Sequence, residues 1–171
     1  MALEFKIRDY RLPRQEIVSE VGLKAGFHVL DYGCGPGGYV PPVSEAIGSS
    51  GKLYALDALP VAIEMVEETV AEKDLKNVET ILSKCYTGLP DEELDAALLY
   101  DVLHDLEDQT AILNELHRVL KPNGLLSFSD HHMKENEIVL EITGTGLFKL
   151  QKKGKYTYSF TKQTQRVSLT F

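Results

Sequence analysis

Cysteine is scarce: Cys34 and Cys85 are the only two in 171 residues. Two thiols without ligand spacing make neither a disulfide framework nor a metal centre, so a reduced, cytoplasmic chain is expected. Long hydrophobic runs are missing. None approaches the roughly 18 residues of a spanning helix, so no membrane span is expected. The opening Met1-Ala2-Leu3-Glu4-Phe5-Lys6 alternates apolar and charged residues and has no apolar centre of the kind a secretory signal needs. Net positive charge is missing too. The formal charge is −8, which opposes a protein that lives on nucleic-acid phosphates.

What is present is an apolar share of 43% and enough chain for one domain with a real core. No repeat, low-complexity tract or linker interrupts residues 1–171, and a single domain is expected. Charge is unevenly spread. From Glu64 to Glu115 there are 15 acids against three lysines, whereas from Ile142 onward there are six basic residues and no acid. That basic end either attracts an anionic substrate or partner, or keeps an exposed sheet edge from pairing with other chains through Lys149, Lys152, Lys153 and Lys155.

The hydrophobic pattern predicts a short helix over 15–21, then strands at 27–32, 52–56, 77–82, 94–100 and 125–129. Helices are expected from Pro41 to about Ile47, from Pro60 past Val70, over 109–120 and over 133–142. A hairpin of 147–151 and 156–160 follows around Lys153-Gly154. Strands alternating with helices at this spacing predict an α/β fold, a Rossmann-like doubly wound and mostly parallel sheet, with the C-terminal β-hairpin supplying an antiparallel strand. Ligands on such sheets sit at the carboxyl ends of the strands. Attention therefore falls on 31–38, Asp57, 83–85, 100–104 and 130–132.

Gly33, Gly35 and Gly38 satisfy G-x-G-x-x-G, a weak pattern alone. Glycine permits the tight turn and close ligand approach, and the next helix points its free N–H groups at the ligand. Asp57 falls at the end of the second strand, where a carboxylate accepts ribose hydroxyls; its plain structural reading is a cap for the helix opening near Pro60. Strand, glycine turn, helix, strand and terminal acid together indicate an adenosine-type ligand. Asp31 then selects among such ligands. A carboxylate two residues before the first glycine repels a pyrophosphate but suits a ligand with an ammonium group, as in S-adenosylmethionine. A nicotinamide-dependent oxidoreductase has the glycine spacing in its favour and Asp31 against it.

Val29-Leu30-Asp31-Tyr32-Gly33-Cys34-Gly35-Pro36-Gly37-Gly38 resembles motif I of the class I S-adenosylmethionine-dependent methyltransferases. Leu53-Tyr54-Ala55-Leu56-Asp57, Leu98-Leu99-Tyr100-Asp101-Val102-Leu103-His104 and Val119-Leu120-Lys121-Pro122-Asn123-Gly124 resemble that family's later strand motifs, in order. The likeness is closest to the ubiquinone/menaquinone-biosynthesis-like branch and covers roughly 23–130. It implies a leader and short helix over 1–26, a cofactor-binding core over 27–130, and a helix, hairpin and tail over 131–171. It also implies that Asp31 and the loop Gly33, Cys34, Gly35 and Gly37 hold the methionine portion. Asp57 takes the ribose, Ala58 lies beside the adenine, and Tyr100 offers its carbonyl to the ammonium group. Many relatives have an acid after the third strand; here Ser83-Lys84-Cys85 stands there. Lysine cannot accept a hydrogen bond, so backbone around Lys84 and Cys85, or the Ser83 hydroxyl, is left to meet the adenine.

His104 and His131, at the ends of the fourth and fifth strands, are the candidate general bases. The bland reading is that each bonds backbone in its loop. With His132, Asp101 and Asp105 they have a metal site's composition, but no ligand spacing supports one, and no metal is expected. Cys34 and Cys85 read as packing residues, and Tyr39 either packs on the ligand or fills space behind the loop. The resemblance implies a methyltransferase acting on a small-molecule acceptor. The alternative is a non-catalytic S-adenosylmethionine-binding module or partner subunit, suggested by the sparse substrate-recognition additions; a homo-oligomer is also open. A nucleic-acid methyltransferase is opposed by the acidic charge and by Tyr100-Asp101-Val102-Leu103, which lacks the Pro-Pro motif of that class. The segment Asp9-Tyr10-Arg11-Leu12-Pro13 is expected to fold across the cofactor, with Arg11 or Arg14 meeting an anionic substrate.

Overall fold

Strand β1 (His28–Tyr32) alternates buried side chains between two faces, Val29 and Asp31 to one and Leu30 and Tyr32 to the other, as a strand at the centre of a sheet must. In this computed structural model, which describes residues 13–164, β1 pairs in parallel with β2 (Lys52–Asp57) and β4 (Leu94–Tyr100). Strand β3 (Val78–Leu82) extends the sheet beyond β2, and β5 (Leu120–Ser129) beyond β4. The hairpin of β6 (Phe148–Lys153) and β7 (Tyr158–Lys162) adds antiparallel to β5 through β7. The order is β3-β2-β1-β4-β5-β7-β6. Direction reverses at β1, so a crevice opens beyond the carboxyl ends of β1, β2 and β4. This is the expected doubly wound sheet with its antiparallel hairpin.

Helices α1 (Arg14–Val21), α2 (Val40–Ile47) and α3 (Pro60–Glu72) cover one face, and α4 (Gln109–Val119) and α5 (Glu135–Gly144) the other. Pro41 and Pro42 sit in the first turn of α2, where a missing N–H is no loss. Asp108 caps α4 by accepting the Ala111 N–H at 2.9 Å. Several boundaries differ from expectation, the hairpin strands by one or two residues, and two of the differences have a visible cause. The start of α5 moves from 133 to Glu135 because the Glu137 carboxylate accepts the Lys134 N–H. The turn 121–124 belongs to β5 rather than preceding it. Leu120 already pairs with Leu94, and the register then shifts before Ala96 meets Leu125. Asn123, at φ +64°, absorbs the irregularity.

Edge strand β6 exposes Lys149, Lys152 and Lys153, Lys153 meeting Glu135, while Lys155 in the following turn meets Glu16. Such an edge resists pairing with another chain. The 83–93 crossover has no helix and is pinned instead by buried Glu115. Its Oε1 accepts the Thr87 N–H at 2.8 Å and hydroxyl at 2.7 Å, and both carboxylate oxygens accept from Arg118. Burial works to raise the Glu115 pKa, but the bonds from Arg118 and Thr87 outweigh it and hold the carboxyl below its ordinary value. Glu115→Ala leaves the Thr87 amide buried and unpaired and is expected to cost about 1–3 kcal/mol. Urea unfolding checks this, and an unchanged midpoint would contradict it.

Candidate cofactor crevice and acceptor lip

The polypeptide leaves β1 through a turn that only glycine makes comfortably. Gly33 has φ +74°, and its N–H and that of Cys34 both donate to the Leu56 carbonyl, tying the turn to β2. A Cβ on Gly33 would lie 2.7 Å from Cγ2 of Val102, the residue entering the loop after β4. Gly37 (φ +81°) lets the loop approach α3, since a Cβ there would meet Val66 at 2.9 Å. At Gly35 (φ +51°) nothing lies within 4 Å of a would-be Cβ, so this part of the turn faces open space. The Gly35 N–H donates to Asp57 Oδ2 at 2.9 Å, and the Leu59 N–H to Asp57 Oδ1 at 2.9 Å. Asp57 thus serves structurally as well. A carboxylate has about four acceptor positions, and two are used. Ala58 next to it is exposed.

Asp31 is the unusual group. It is 3% exposed, and its Oδ2 is buried without a hydrogen-bond partner. Burial raises its pKa to about 7 and the Asp57 charge adds to the rise, while the Arg14 charge opposes it. A buried carboxyl with an unanswered oxygen at the foot of a glycine turn fits a cationic group, and it is the wrong neighbour for a diphosphate. Arg14, a candidate to meet an anionic substrate, lies over the glycine loop, where a Cβ on Gly38 would meet its guanidinium, and 5.4 Å from the Tyr39 ring centroid. Residues 1–12, including Arg11, lie outside the described residues.

Tyr39 is half-buried and packs against the Tyr100 ring at 5.0 Å. Burial pushes its phenol up to about 12. The Tyr100 hydroxyl is spent on Ser127 Oγ at 2.7 Å, and its ring is buried. Cys34 is buried, and burial followed by the charges of Asp31 and Asp57 pushes its thiol pKa up, so it packs rather than reacts. Beyond β3, the Tyr32 hydroxyl donates to the carbonyls of Lys84 (3.3 Å) and Cys85 (3.2 Å), and the Cys85 N–H donates to Ser83 Oγ. Tyr32 therefore fixes the backbone after β3 at Lys84 and Cys85. Lys84 is exposed.

The other wall is the lip formed by the ends of β4 and β5. His104, in the turn Leu103–Asp105, places Nδ1 2.7 Å from Oδ2 of Asp130, a carboxylate with no exposed side-chain surface, and Nε2 3.3 Å from the exposed Asp105. His131 repeats the arrangement with Nδ1 2.5 Å from Asp101 Oδ1, which also accepts the His131 N–H. Asp101 adopts φ +54°, an uncommon conformation for a residue with a Cβ. His132 lies between the two, its ring centroid 4.2 Å from His104 and 4.0 Å from His131. The structure thus brings His104 and His131 to one lip. Sequence reasoning placed both there but missed Asp130 and Asp101 as the groups that orient them. Acids at strand ends four and five, read as pairs for nearby histidines, were the available signal. Among the described residues no group of three or more His, Cys, Asp or Glu is placed to hold a metal ion.

Residues 23–164 match a family model described as a methyltransferase domain. The chain is similar to demethylmenaquinone methyltransferases. It is 30% identical over 65% of its length to the protein of Geobacillus sp. strain WCH70, of which this covers 48%. It is 32% identical over 68% of its length to that of Listeria monocytogenes serotype 4a, of which this covers 50%. The chain thus spans about half the length of the curated relatives it matches. Among solved structures, a SAM-dependent methyltransferase from Aquifex aeolicus superimposes with a TM-score of 0.77 at 29% identity, covering 88% of each chain.

Asp31 also carries a stability cost with a defined sign. The unfolded chain holds this carboxyl at its ordinary 3.8, and folding raises it to about 7. Its contribution is therefore most favourable below the lower value and declines as pH rises through the upper one. Asp31→Asn is expected to abolish that decline and to exceed the parent at about pH 8 by on the order of a few kcal/mol. Unfolding of both proteins at about pH 5 and pH 8 measures it; parallel pH dependences would contradict the assignment.

Proposed function

The chain belongs to the class I S-adenosylmethionine-dependent methyltransferases, and from that premise we propose that it methylates a small-molecule acceptor held at the β4–β5 lip, with His104 as the general base. The observation that carries this is the pairing of an unanswered buried carboxylate, Asp31, with a carboxylate-oriented imidazole across one crevice. When bound, the cofactor supplies a methyl carbon on a sulfonium sulfur, open to a nucleophile and released with a neutral thioether.

The residues divide this work between them. Asp31 receives the ammonium group, and Arg14, over Gly38, receives the carboxylate of the same amino-acid end. Gly33, Cys34, Gly35 and Gly37 form the backbone cradle, and Gly35 leaves open space where a side chain would intrude. Asp57 takes the ribose hydroxyls on its remaining acceptor positions. Ala58, with the backbone at Lys84 and Cys85 held by Tyr32, flanks the adenine. Tyr100 closes the floor with its ring and offers its carbonyl at the strand end. The alignment these contacts impose is the main catalytic contribution of the protein.

A base matters when the acceptor must lose a proton, as a phenol or an acidic ring carbon does. Asp130 accepts from Nδ1 of His104 and so directs the Nε2 lone pair outward, toward the position now approached by Asp105. Asp105 is exposed and is displaced when an acceptor bonds Nε2. His131, with Asp101, is the second candidate base. Relatives named for demethylmenaquinone support a flat, ring-bearing acceptor of this kind. The two free thiols support a reducing compartment such as the cytoplasm. A second reading, a cofactor-binding module whose acceptor pocket is completed by a partner subunit or second copy, is favoured by the openness of the lip, where the His131 side chain is 54% exposed.

Calorimetry with S-adenosylmethionine, S-adenosylhomocysteine and NAD is expected to show the first two bound and the third ignored; uptake of NAD alone would refute the reading. With a panel of phenolic and quinol acceptors, His104→Ala is expected to lower turnover about 10²–10⁴-fold, with cofactor affinity within about twofold of the parent. Full rate in both His104→Ala and His131→Ala would remove the base. Turnover that requires a co-purifying protein would favour the second reading.

A further inference from the structure

The basis for a further step lies at the opposite end of α1 from Arg14. The Glu20 carboxylate is seated in the turn between β6 and β7. There Oε2 accepts the Lys155 N–H at 2.7 Å, and Oε1 accepts the Thr157 N–H and hydroxyl, both at 2.8 Å. The Tyr156 N–H reaches both oxygens. Three consecutive N–H groups converging on one carboxylate form an anion nest. Burial works to raise the Glu20 pKa, and the bonds from Thr157, Tyr156 and Lys155 outweigh it. The turn is shaped for this occupant, because a Cβ on Gly154 would fall 2.1 Å from Glu20 Oε1. One helical turn earlier, Glu16 accepts the Tyr156 hydroxyl at 2.6 Å and pairs with Lys155.

An eight-residue helix does not hold itself in water, so α1 takes its position from what it touches. Ile17, Val18 and Val21 bury its apolar face, but apolar contact is non-directional and tolerates rotation and sliding. Glu20 supplies the direction. Arg14 lies about 9 Å along the axis from Glu20. A shift of either end therefore moves the guanidinium off Gly38 and changes the field at Asp31.

We propose that Glu20, seated in the β6–β7 turn, is a positioning residue that holds Arg14 over the glycine loop and so sets the protein's preference for a cofactor bearing a free carboxylate. This rests on the cofactor reading above. The carboxylate arm is isolated by comparing S-adenosylmethionine with its decarboxylated analogue, which keeps the sulfonium, the amine and the nucleoside. A purely structural role for Glu20 would weaken both ligands alike or lower the melting temperature alone.

Calorimetric affinities for the two compounds are to be measured on the full chain. The parent is expected to prefer S-adenosylmethionine at least tenfold. Arg14→Met is expected to erase the preference, and Glu20→Ala to erase most of it. The double variant should lose no more than Arg14→Met alone, since residues acting through one contact are not additive. Glu20→Gln is expected to restore part of the preference. Gly154→Ala, which displaces the carboxylate without substituting any α1 residue, tests the same seat should Glu20→Ala fold poorly. A parent without preference, or a preference that survives Glu20→Ala or Gly154→Ala, overturns the inference; the first also removes the Arg14–carboxylate contact, and both leave intact the reading that the chain binds S-adenosylmethionine. A parent that binds neither compound overturns that reading instead.

Discussion

The buried Asp31 carboxyl is the constraint to which the rest of the crevice answers. Taking a carboxylate out of water without a full set of partners is costly, and burial accordingly raises the Asp31 pKa to about 7. Asp57 sits near enough to worsen the cost and Arg14 near enough to relieve it. The glycine turn that follows must then be open on its ligand side and tight on its protein side. Gly35 faces space, while Gly33 and Gly37 meet Val102 and Val66. Stability is surrendered at this one side chain, whose buried oxygen has no hydrogen-bond partner.

The same logic orders the opposite wall. His104 and His131 each present Nδ1 to an aspartate, and the backbone at the strand ends is shaped to make this possible. Asp101 accepts a left-handed conformation and uses its carboxylate twice on His131. Asp130 is divided between the His104 ring and the His132 N–H. Val102, packed against Gly33, joins the two walls, so the distance between ligand cradle and lip is set by van der Waals contact.

Much of this was legible in the sequence because it rests on local rules. Apolar residues on both faces of 94–100 marked a central parallel strand, and the Gly33–Gly38 spacing marked the tight turn that follows β1. Strand positions followed the period of two to within a residue or two, except in β5. There the Lys121-Pro122-Asn123-Gly124 turn reads as a connection, yet the pairing of Leu120 with Leu94 places it inside the strand. What escaped was set by long-range packing. Glu20 and the 154–157 turn are more than 130 positions apart in sequence, and nothing local in either segment announces the other. Arg14 was visible as a charge near the start, but its seat on Gly38 depends on how α1 docks. The orienting roles of Asp130 and Asp101 depend on two strand ends meeting, which periodicity cannot register.

The strand order carries a consequence for how the molecule comes into being. Because β7 lies between β5 and β6, the flank of β5 stays open until about residue 162 has been synthesised, and β6 cannot join the sheet before its successor does. The nest that receives Glu20 is the bend of this last hairpin. The earliest described helix therefore finds its final seat only after the latest described strand, and until then a ribosome-bound chain exposes both a bare sheet edge and an undocked amphipathic segment. Chaperone dependence or loss to aggregation during synthesis would fall on this interval, the cost of joining the first and last pieces of the fold at one turn.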